Sequence, residues 1–184
     1  MTSPLDAATT YVALGANTGD RLAQLRQAVE HMSAQPALNV MGTSPVYESE
    51  AHTLDPDESA PAFLNAVARV RTALEPLDLL HTCQHIEAKV GRTRGASVPR
   101  WAPRPLDLDI LTMGRHTVDT PQLTLPHPRL GKRRFVLQPW CDLAPNLYVP
   151  PPFDATVQQL LNQCSDDAVL RRTSHKLPSS SAPS

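Results

Sequence analysis

The chain has 184 residues, of which 41% are hydrophobic and 19% charged, a composition typical of one globular domain, which we expect over residues 1–172. The formal net charge of −1 excludes a global field that would attract nucleic acid or anionic lipid. No apolar run approaches the roughly 18 residues of a membrane span, the first ten residues lack a secretory signal pattern, and three cysteines without a CxxC motif suit a reducing compartment, so we expect a cytoplasmic protein.

The first half of the chain predicts a strand, a helix and two further strands. We expect these elements at residues 10–17, 20–32, 38–48 and 63–74. The apolar residues of the helix fall on one stripe, and the second strand should be irregular near Pro45. The acidic segment ESEAHTLDPDESAP, residues 48–61, contains two prolines and is expected to be a loop between the last two strands.

The second half begins with a helix that starts at Pro76 and ends at Gly91. The segment RTRGASVPRWAP, residues 92–103, cannot be regular structure because it contains a glycine and two prolines. The remaining predictions are a strand from Leu106, a turn at Gly114-Arg115 that pairs this strand with residues 116–125, short helices around 135–140 and 155–164, and a disordered tail over residues 173–184.

The order of these elements is strand, helix, strand, strand, helix, strand. This split βαβ order is typical of ferredoxin-like folds, with extra elements added at the end. We therefore predict an α+β fold of the ferredoxin-like class, with a mainly antiparallel sheet and flanking helices on one face.

The stretch PLDLDIL places two aspartates within an apolar run. Asp107 and Asp109 alternate with leucine and isoleucine, so both carboxylates should lie on the same face of a strand. Two such charges repel each other unless a cation shares the face, and carboxylate oxygens are the ligands that Mg²⁺ prefers. The alternative is a solvated face on an edge strand, since a short Asp-x-Asp pattern is common.

Arginines are concentrated beside the aspartate strand. Guanidinium groups match phosphate oxygens with paired hydrogen bonds, so arginines next to an acidic metal site would suit a polyphosphate. A loop kept soluble by its charges is the alternative interpretation. The set consists of Arg92, Arg94, Arg100 and Arg104, followed by Arg133 and Arg134.

Three aromatic residues and one amide complete the candidate site. A planar heterocycle could stack on Phe63, Trp101 or Phe135 while the amide of Asn65 recognises its edge. Ordinary core packing would explain the same residues equally well.

Several functional signatures are missing from the chain. It has neither a GxxxxGK[ST] phosphate loop nor a GxGxxG motif nor the signatures of protein kinases. His81 and His85 are spaced i, i+4 on a predicted helix and could form part of a zinc-dependent hydrolase, although a surface histidine pair is the simpler interpretation. His127, in the basic segment LPHPRLGKRRF, is ambiguous by itself.

Several stretches of the chain together resemble the 6-hydroxymethyl-7,8-dihydropterin pyrophosphokinases of folate biosynthesis. They are RW followed by PRPLDLDIL, the upstream IEAKVGRTR and the downstream LPHPRLGKRRF. The similarity is colinear over residues 11–163 and includes the opening VALGAN and the FLNA segment. It departs from the usual family pattern after Tyr47, where an acidic segment replaces a motif that contains proline and glycine.

The resemblance implies that pyrophosphate passes from ATP to the hydroxymethyl group of the pterin, with AMP as the second product. It implies two Mg²⁺ ions held by Asp107 and Asp109, and mobile arginines, Arg92 and Arg104, that close on the phosphates. The positions that match ATP contacts are Gln84, Glu87, Arg94, Arg100, Trp101, Ile110, His127 and Arg133. The positions that match pterin contacts are Ser49, Phe63, Asn65 and Phe135.

A second hypothesis comes from the fold class alone, because ferredoxin-like sheets also form RNA-recognition modules. That function requires an aromatic-rich motif on a central strand, and FLNAVARV does not supply one. We therefore expect small-molecule substrates, no nucleic acid or membrane partner, and a monomer.

Overall fold

A computed structural model of the chain describes residues 7–50, 61–91 and 105–179. Within these ranges the chain alternates between strands and helices in the predicted order. In chain order the elements are β1 (Ala8–Ala16), α1 (Arg21–Ser33), β2 (Leu38–Thr43), β3 (Tyr47–Ser49), β4 (Phe63–Thr72), α2 (Pro76–Lys89), β5 (Asp107–Met113), β6 (Val118–Asp119), β7 (Thr124–Leu125), a short 3₁₀ helix (Leu130–Lys132), α3 (Arg134–Leu143), β8 (Tyr148–Val149), β9 (Ala155–Thr156), α4 (Val157–Gln163) and β10 (Leu170–Arg172).

The main sheet is antiparallel throughout, with β4 and β1 at its centre. The strand order is β10-β3-β4-β1-β5, and β2 pairs with β4 along the same edge as β3. β2 and β3 are therefore two parts of one interrupted strand, as the proline predicted. Ser44 spans the interruption, since its backbone N–H donates to the Val67 carbonyl and its Oγ accepts from the Val67 N–H, both at 2.8 Å.

Helices cover both faces of the sheet. α1 and α2 pack on one face through an apolar cluster that includes Leu25, Val29 and Ile86. This is the single helical face that the ferredoxin-like order predicted. α3 and α4 cover part of the opposite face through a second cluster that includes Leu137 and Trp140. The expected fold class is confirmed, but the expectation of helices on one face only is wrong, because α3 and α4, which follow β5, form a third layer on the other face.

Local sequence explains where the helices begin. Asp20 caps α1, because its Oδ1 accepts a hydrogen bond of 3.0 Å from the Ala23 N–H. α2 begins at Pro76, as predicted, since the first helical position needs no donor N–H. Thr156 and Gln159 form a reciprocal capping box at the start of α4.

The predicted pairing of the aspartate strand with residues 116–125 is wrong. β6 pairs with β7 instead, so this segment folds back on itself. Thr120 stabilises the turn, because its N–H and Oγ1 both donate to the Leu123 carbonyl while its Oγ1 also accepts from the Leu123 N–H. Local hydrogen bonds in the turn therefore compete successfully with a longer hairpin.

The tail also differs from the prediction over its first seven residues. The Thr173 N–H donates to the Val46 carbonyl at 2.9 Å, and Leu177 is buried in the apolar cluster beneath α1 and α2. A single leucine in a polar, serine-rich segment gives no periodic signal, which explains why composition alone indicated disorder. Residues 180–184 lie outside the described ranges.

A candidate site for polyphosphate and a planar substrate

Alternation along β5 divides its side chains between the two sheet faces. Leu108 and Ile110 are buried in the core beneath α1 and α2, so Asp107 and Asp109 point to the opposite face. In the adjacent strand, Asp107 pairs with Gly15 and Asp109 with Ala13. We call this side of the sheet, which also carries α3, the site face.

A cation shares the site face with the aspartates, as their predicted repulsion required. The Arg133 guanidinium donates from Nη1 to Asp109 Oδ2 at 3.0 Å. Arg133 immediately precedes α3, so the start of this helix brings the charge to the strand. Both side chains keep part of their surface exposed, 21% for Arg133 and 33% for Asp109, and can exchange this partner for a ligand.

Glu87 is almost fully buried near the end of α2, with 1% of its surface exposed. Its Oε1 accepts a hydrogen bond of 2.8 Å from the Leu108 N–H. This bond reaches the backbone of the residue that separates the two aspartates. Glu87 therefore fixes the part of β5 that presents both carboxylates.

His127 lies beside β5, because its N–H donates to the Leu111 carbonyl at 2.9 Å. Burial lowers the pKa of His127 below its usual range, and the positive charges of Arg133 and Arg129 add to this effect against the opposing charge of Asp109. Its Nδ1 accepts from the Arg129 N–H at 3.1 Å. The neutral imidazole therefore carries its proton on Nε2, where it can donate to an anion.

An amide, a hydroxyl and an aromatic ring lie together on the same face. Asn65 and Ser49 are both buried, and Asn65 Nδ2 donates to Ser49 Oγ at 2.8 Å. Gly15 pairs with Asn65 on one side and with Asp107 on the other. A methyl group added to Gly15 would lie 3.6 Å from Asn65 Oδ1 and 4.0 Å from Phe63 Cδ1. Gly15 thus forms a low floor between the amide and the first aspartate.

A second aromatic ring comes from the first turn of α3. Phe135 is half-buried against the apolar cluster of this helix. The Arg133 guanidinium carbon lies 5.9 Å from the centroid of its ring, within reach of a cation–π contact. Phe135 therefore adjoins the arginine that bonds to Asp109.

The structure brings together most of the predicted site residues that it describes. Gln84 lies half-buried on α2, whereas the side chain of Ile110 is buried in the core on the other face. Ile110 was expected to contact ATP, and strand alternation turns its side chain away from the site face. Five of the predicted residues lie outside the described ranges: Arg92, Arg94, Arg100, Trp101 and Arg104.

The zinc hypothesis gains no support from the described residues. His81 and His85 are both exposed on α2, and the intervening Cys83 is buried, which raises the pKa of its thiol to about 12. In the ranges that the structure describes, no group of three or more His, Cys, Asp or Glu side chains is placed to hold a metal. The pair of aspartates remains the candidate metal site.

Sequence reasoning missed two contributors to this site. The importance of Gly15 depends on its position between two strands, which only the register reveals. Arg21 was treated as part of an amphipathic helix, yet it bonds to Glu48 and to the Ala62 carbonyl. No signal within a local window could have identified this long-range contact.

Comparison with known proteins decides the family. The protein family described as "7,8-dihydro-6-hydroxymethylpterin-pyrophosphokinase (HPPK)" matches residues 11–145 of the chain. The chain belongs to the HPPK family. It is 42% identical to the 2-amino-4-hydroxy-6-hydroxymethyldihydropteridine pyrophosphokinase of Bacillus subtilis over 133 residues, which cover 72% of this chain and 76% of the relative. The Pseudomonas aeruginosa protein of the same name is 40% identical over 161 residues, or 88% and 94%.

Solved structures support the HPPK fold. A crystal structure of wild-type Plasmodium falciparum HPPK-DHPS with pteroate superposes with a TM-score of 0.66 at 15% identity. The match covers 89% of this chain and 43% of that one, so the chain spans less than half of the two-part protein. The family resemblance and the ferredoxin-like fold are thus confirmed, and nothing favours the RNA-binding alternative. Across the described part of the chain, no helix has the length and apolar character needed to span a bilayer.

Proposed function

We propose that the chain transfers pyrophosphate from ATP to the hydroxymethyl group of 6-hydroxymethyl-7,8-dihydropterin, producing AMP and the pterin diphosphate for folate biosynthesis. One observation carries the proposal. Asn65 and Asp107 flank Gly15 on one sheet face, which places a group able to recognise a heterocycle directly beside a carboxylate able to hold a metal.

The aspartates fit Mg²⁺. Asp109 already bonds to a cationic group, Arg133, at 3.0 Å, and neither aspartate is buried. Mg²⁺ keeps several water ligands and takes others from substrate phosphates, so two carboxylates are sufficient. We propose that Asp107 and Asp109 hold two such ions. When bound, the ions would neutralise charge on the phosphate oxygens.

The nucleotide would lie along β5, with its phosphates near the aspartates. Arg133 bonds to Asp109 and His127 bonds to the β5 backbone at Leu111, so we propose that the Arg133 guanidinium and the Nε2–H of His127 donate to phosphate oxygens. The remaining proposed ATP contacts are Gln84, Arg94, Arg100, Trp101 and the backbone of Ile110. Glu87, expected among them, is buried and would act on the site through its bond to Leu108. Arg92 and Arg104 are proposed to close on the triphosphate and exclude water from it.

The pterin would occupy the floor formed by Gly15. We call Ser49, Phe63, Asn65 and Phe135 the pterin subsite. The amide of Asn65, oriented by Ser49 at 2.8 Å, would hydrogen-bond to the polar edge of the pterin. Phe63 and Phe135 would stack on its two faces, which holds a planar ring more selectively than burial alone.

The reaction requires an in-line attack. The pterin hydroxyl oxygen would form a bond to the β phosphorus of ATP, the bond from that phosphorus to the α,β-bridging oxygen would break, and AMP would leave with that oxygen. The carboxylate of Asp109 is proposed to accept the hydroxyl proton. Cationic side chains around the phosphates would stabilise the charge that develops on the transferred group.

Product analysis tests the function directly. Purified protein is incubated with ATP and MgCl₂, with and without 6-hydroxymethyl-7,8-dihydropterin, and nucleotides are separated by ion-exchange chromatography. We expect AMP to form only when the pterin is present, in a 1:1 ratio to the pterin diphosphate. ADP formation, or AMP formation at the same rate without pterin, would contradict the proposal. Size-exclusion chromatography during purification tests the proposed monomer.

A further inference from the structure

We infer that the C-terminal segment from Asp166 to Arg171 is a positioning element of the pterin subsite, holding α3 on one side and β3 on the other. The inference rests on the proposed function, since it concerns the same substrate. The segment lies beyond residues 11–145, which match the family description. Two of its side chains make long-range bonds, one to each side of the subsite.

Asp166 supplies the cap that α3 lacks. The residue at the N-cap of this helix, Arg133, makes no side-chain capping bond. Instead, Asp166 Oδ2 accepts from the Arg134 N–H at 2.9 Å, across 32 positions of sequence. Its other oxygen, Oδ1, accepts from the Ala168 N–H at 3.0 Å and so fixes the carboxylate. A carboxylate at this end of a helix also interacts favourably with the helix dipole.

Arg134, the residue whose N–H is capped, lies next to two residues of the proposed site. Arg134 lies between Arg133, which bonds to Asp109, and Phe135, which is one wall of the pterin subsite. Arg133 is also held by its bond to Asp109, so losing the Asp166 bond should displace the Phe135 ring and leave Arg133 in place. The effect on the ring should exceed the effect on the rest of the helix, which packs in the second apolar cluster.

Arg171 stabilises the β3 side of the pterin subsite. β10 pairs with β3, with Arg171 opposite Glu48 and Leu170 opposite Ser49. Arg171 Nη2 donates to Glu48 Oε1 at 2.5 Å, and Arg21 Nη2 donates to Glu48 Oε2 at 3.1 Å. Hydrogen bonding from Arg171 lowers the pKa of Glu48, with further lowering by Arg21. The carboxylate therefore stays ionised and keeps both partners.

Arg21 extends this network from Glu48 to the start of β4, which carries Phe63. Its Nη1 donates to the Ala62 carbonyl at 2.5 Å. Glu48 precedes Ser49, and Ala62 precedes Phe63, so one guanidinium joins the Glu48 carboxylate to the Ala62 backbone, each one residue before a subsite residue. Arg171 thus acts on the subsite through Glu48 and Arg21.

Stability alone is a poor explanation for the bond from Arg171 to Glu48. Arg171 keeps 75% of its side chain exposed, and exposed ion pairs contribute little to folding. This bond and the bond from Arg134 to Asp166 each end one residue away from a subsite side chain. The expected consequence of losing them is weaker pterin binding, with the nucleotide half of the site unchanged.

The test compares three variants with matched controls in the full-length chain. We expect Asp166→Ala and Arg171→Ala each to raise the KM for the pterin about fivefold, the size of one lost cap or oriented contact. The double variant should raise it about 25-fold if the two sides act independently. The kcat and the Kd for an ATP analogue with Mg²⁺ should stay within about twofold of wild type.

Controls separate positioning from folding. Asp166→Asn keeps an oxygen that can cap the helix and should restore the pterin KM. Asp167→Ala changes the adjacent, exposed aspartate and should leave all constants unchanged. If Asp166→Ala fails to fold, Arg171→Ala and Arg171→Lys provide the same comparison on β3.

An unchanged pterin KM in the double variant would overturn the inference. A parallel loss of kcat, ATP-analogue affinity and Tm would also overturn it, because it would show a general structural role. These results are distinct from a failure of the proposed function, in which the wild type itself would form no pterin-dependent AMP and both proposals would fall.

Discussion

The two faces of β1 and β5 carry different kinds of side chain. Toward α1 and α2, these strands present Val12, Leu14, Leu108 and Ile110, all buried. Toward α3, Tyr11 and Leu111 pack in the second apolar cluster, and the adjoining positions present small or acidic residues: Ala13, Gly15, Asp107 and Asp109. Within a single strand pair, a side-chain period of two therefore separates a continuous apolar face from a face that carries the candidate site beside the second apolar cluster.

The largest expected effect on activity comes from replacing an acidic side chain of the site face with a neutral one. Asp109→Asn removes the charge proposed to hold Mg²⁺ but keeps the shape, so kcat/KM should fall by about 10³-fold or more, as for loss of essential electrostatic stabilisation. The Tm should remain close to that of wild type because the residue is not buried. Steady-state AMP formation and calorimetry measure the two effects.

Leu108→Ala is the matched control on the adjacent position of the other face. It should lower the free energy of unfolding by about 2–5 kcal/mol, as for other buried leucines, while the folded fraction retains most of its activity. The comparison of the two faces would be refuted if Leu108→Ala abolished turnover without loss of stability, or if Asp109→Asn kept full activity.

A smaller effect is expected from filling the floor of the site face. Gly15→Ala adds a methyl group at ordinary contact distance, 3.6 Å, from Asn65 Oδ1, so the fold should tolerate it. The methyl would occupy space proposed for the pterin, and we expect the pterin KM to rise about tenfold, as for a misplaced contact in a packed pocket.

Affinity for the ATP analogue serves as the internal control for Gly15→Ala and should be unchanged. A variant with normal pterin KM would show that the substrate does not approach this part of the sheet. Fluorescence titration with the pterin gives an independent measure of the same binding.

Glu87 links the two faces, because a buried carboxylate supports the backbone between the aspartates. Glu87→Ala would leave the buried Leu108 N–H without this acceptor, at a cost of about 1–3 kcal/mol in the free energy of unfolding. Urea denaturation measures this loss. Glu87→Gln keeps an acceptor oxygen and should recover most of the stability. Equal losses of stability in both variants would mean that the charge of Glu87, and not its hydrogen bond to Leu108, stabilises the fold.

The smallest effect concerns acid stability at the edge of the site face. The pKa of Glu48 is lowered, chiefly by its hydrogen bond to Arg171 and also by Arg21. The stabilisation is complete above the unfolded-state pKa of about 4.3 and is lost as pH falls through the lower folded-state pKa. Urea midpoints measured from pH 6 downward should therefore fall more steeply for wild type than for Glu48→Gln. Parallel curves would contradict this assignment.

Short-range sequence patterns correctly predicted the structural elements that are determined by residues close together in the chain. Alternation in β5, the proline at the start of α2 and the irregularity at Pro45 were all correctly interpreted from the sequence. The same alternation also predicted that a cation must share the face with the aspartates, and Arg133 provides it. These features follow from residues that are neighbours in sequence.

Features that depend on distant partners could not be predicted in the same way. The buried Leu177, the cap from Asp166 and the clamp of Arg21 on Glu48 each join segments far apart in the chain. The pairing of β6 with β7 required a choice between two possible strand partners, which local turn bonding decided. Family resemblance supplied the expected chemistry, but not these supports.

The central claim is that the site face binds nucleotide through a metal held by its aspartates. Isothermal titration calorimetry with a non-hydrolysable ATP analogue tests it most directly, in Mg²⁺ and in EDTA, for wild type and for the double variant Asp107→Asn/Asp109→Asn. We predict that Mg²⁺ strengthens binding to wild type at least tenfold and has no such effect on the variant. Equal, metal-independent binding by both proteins would contradict the account.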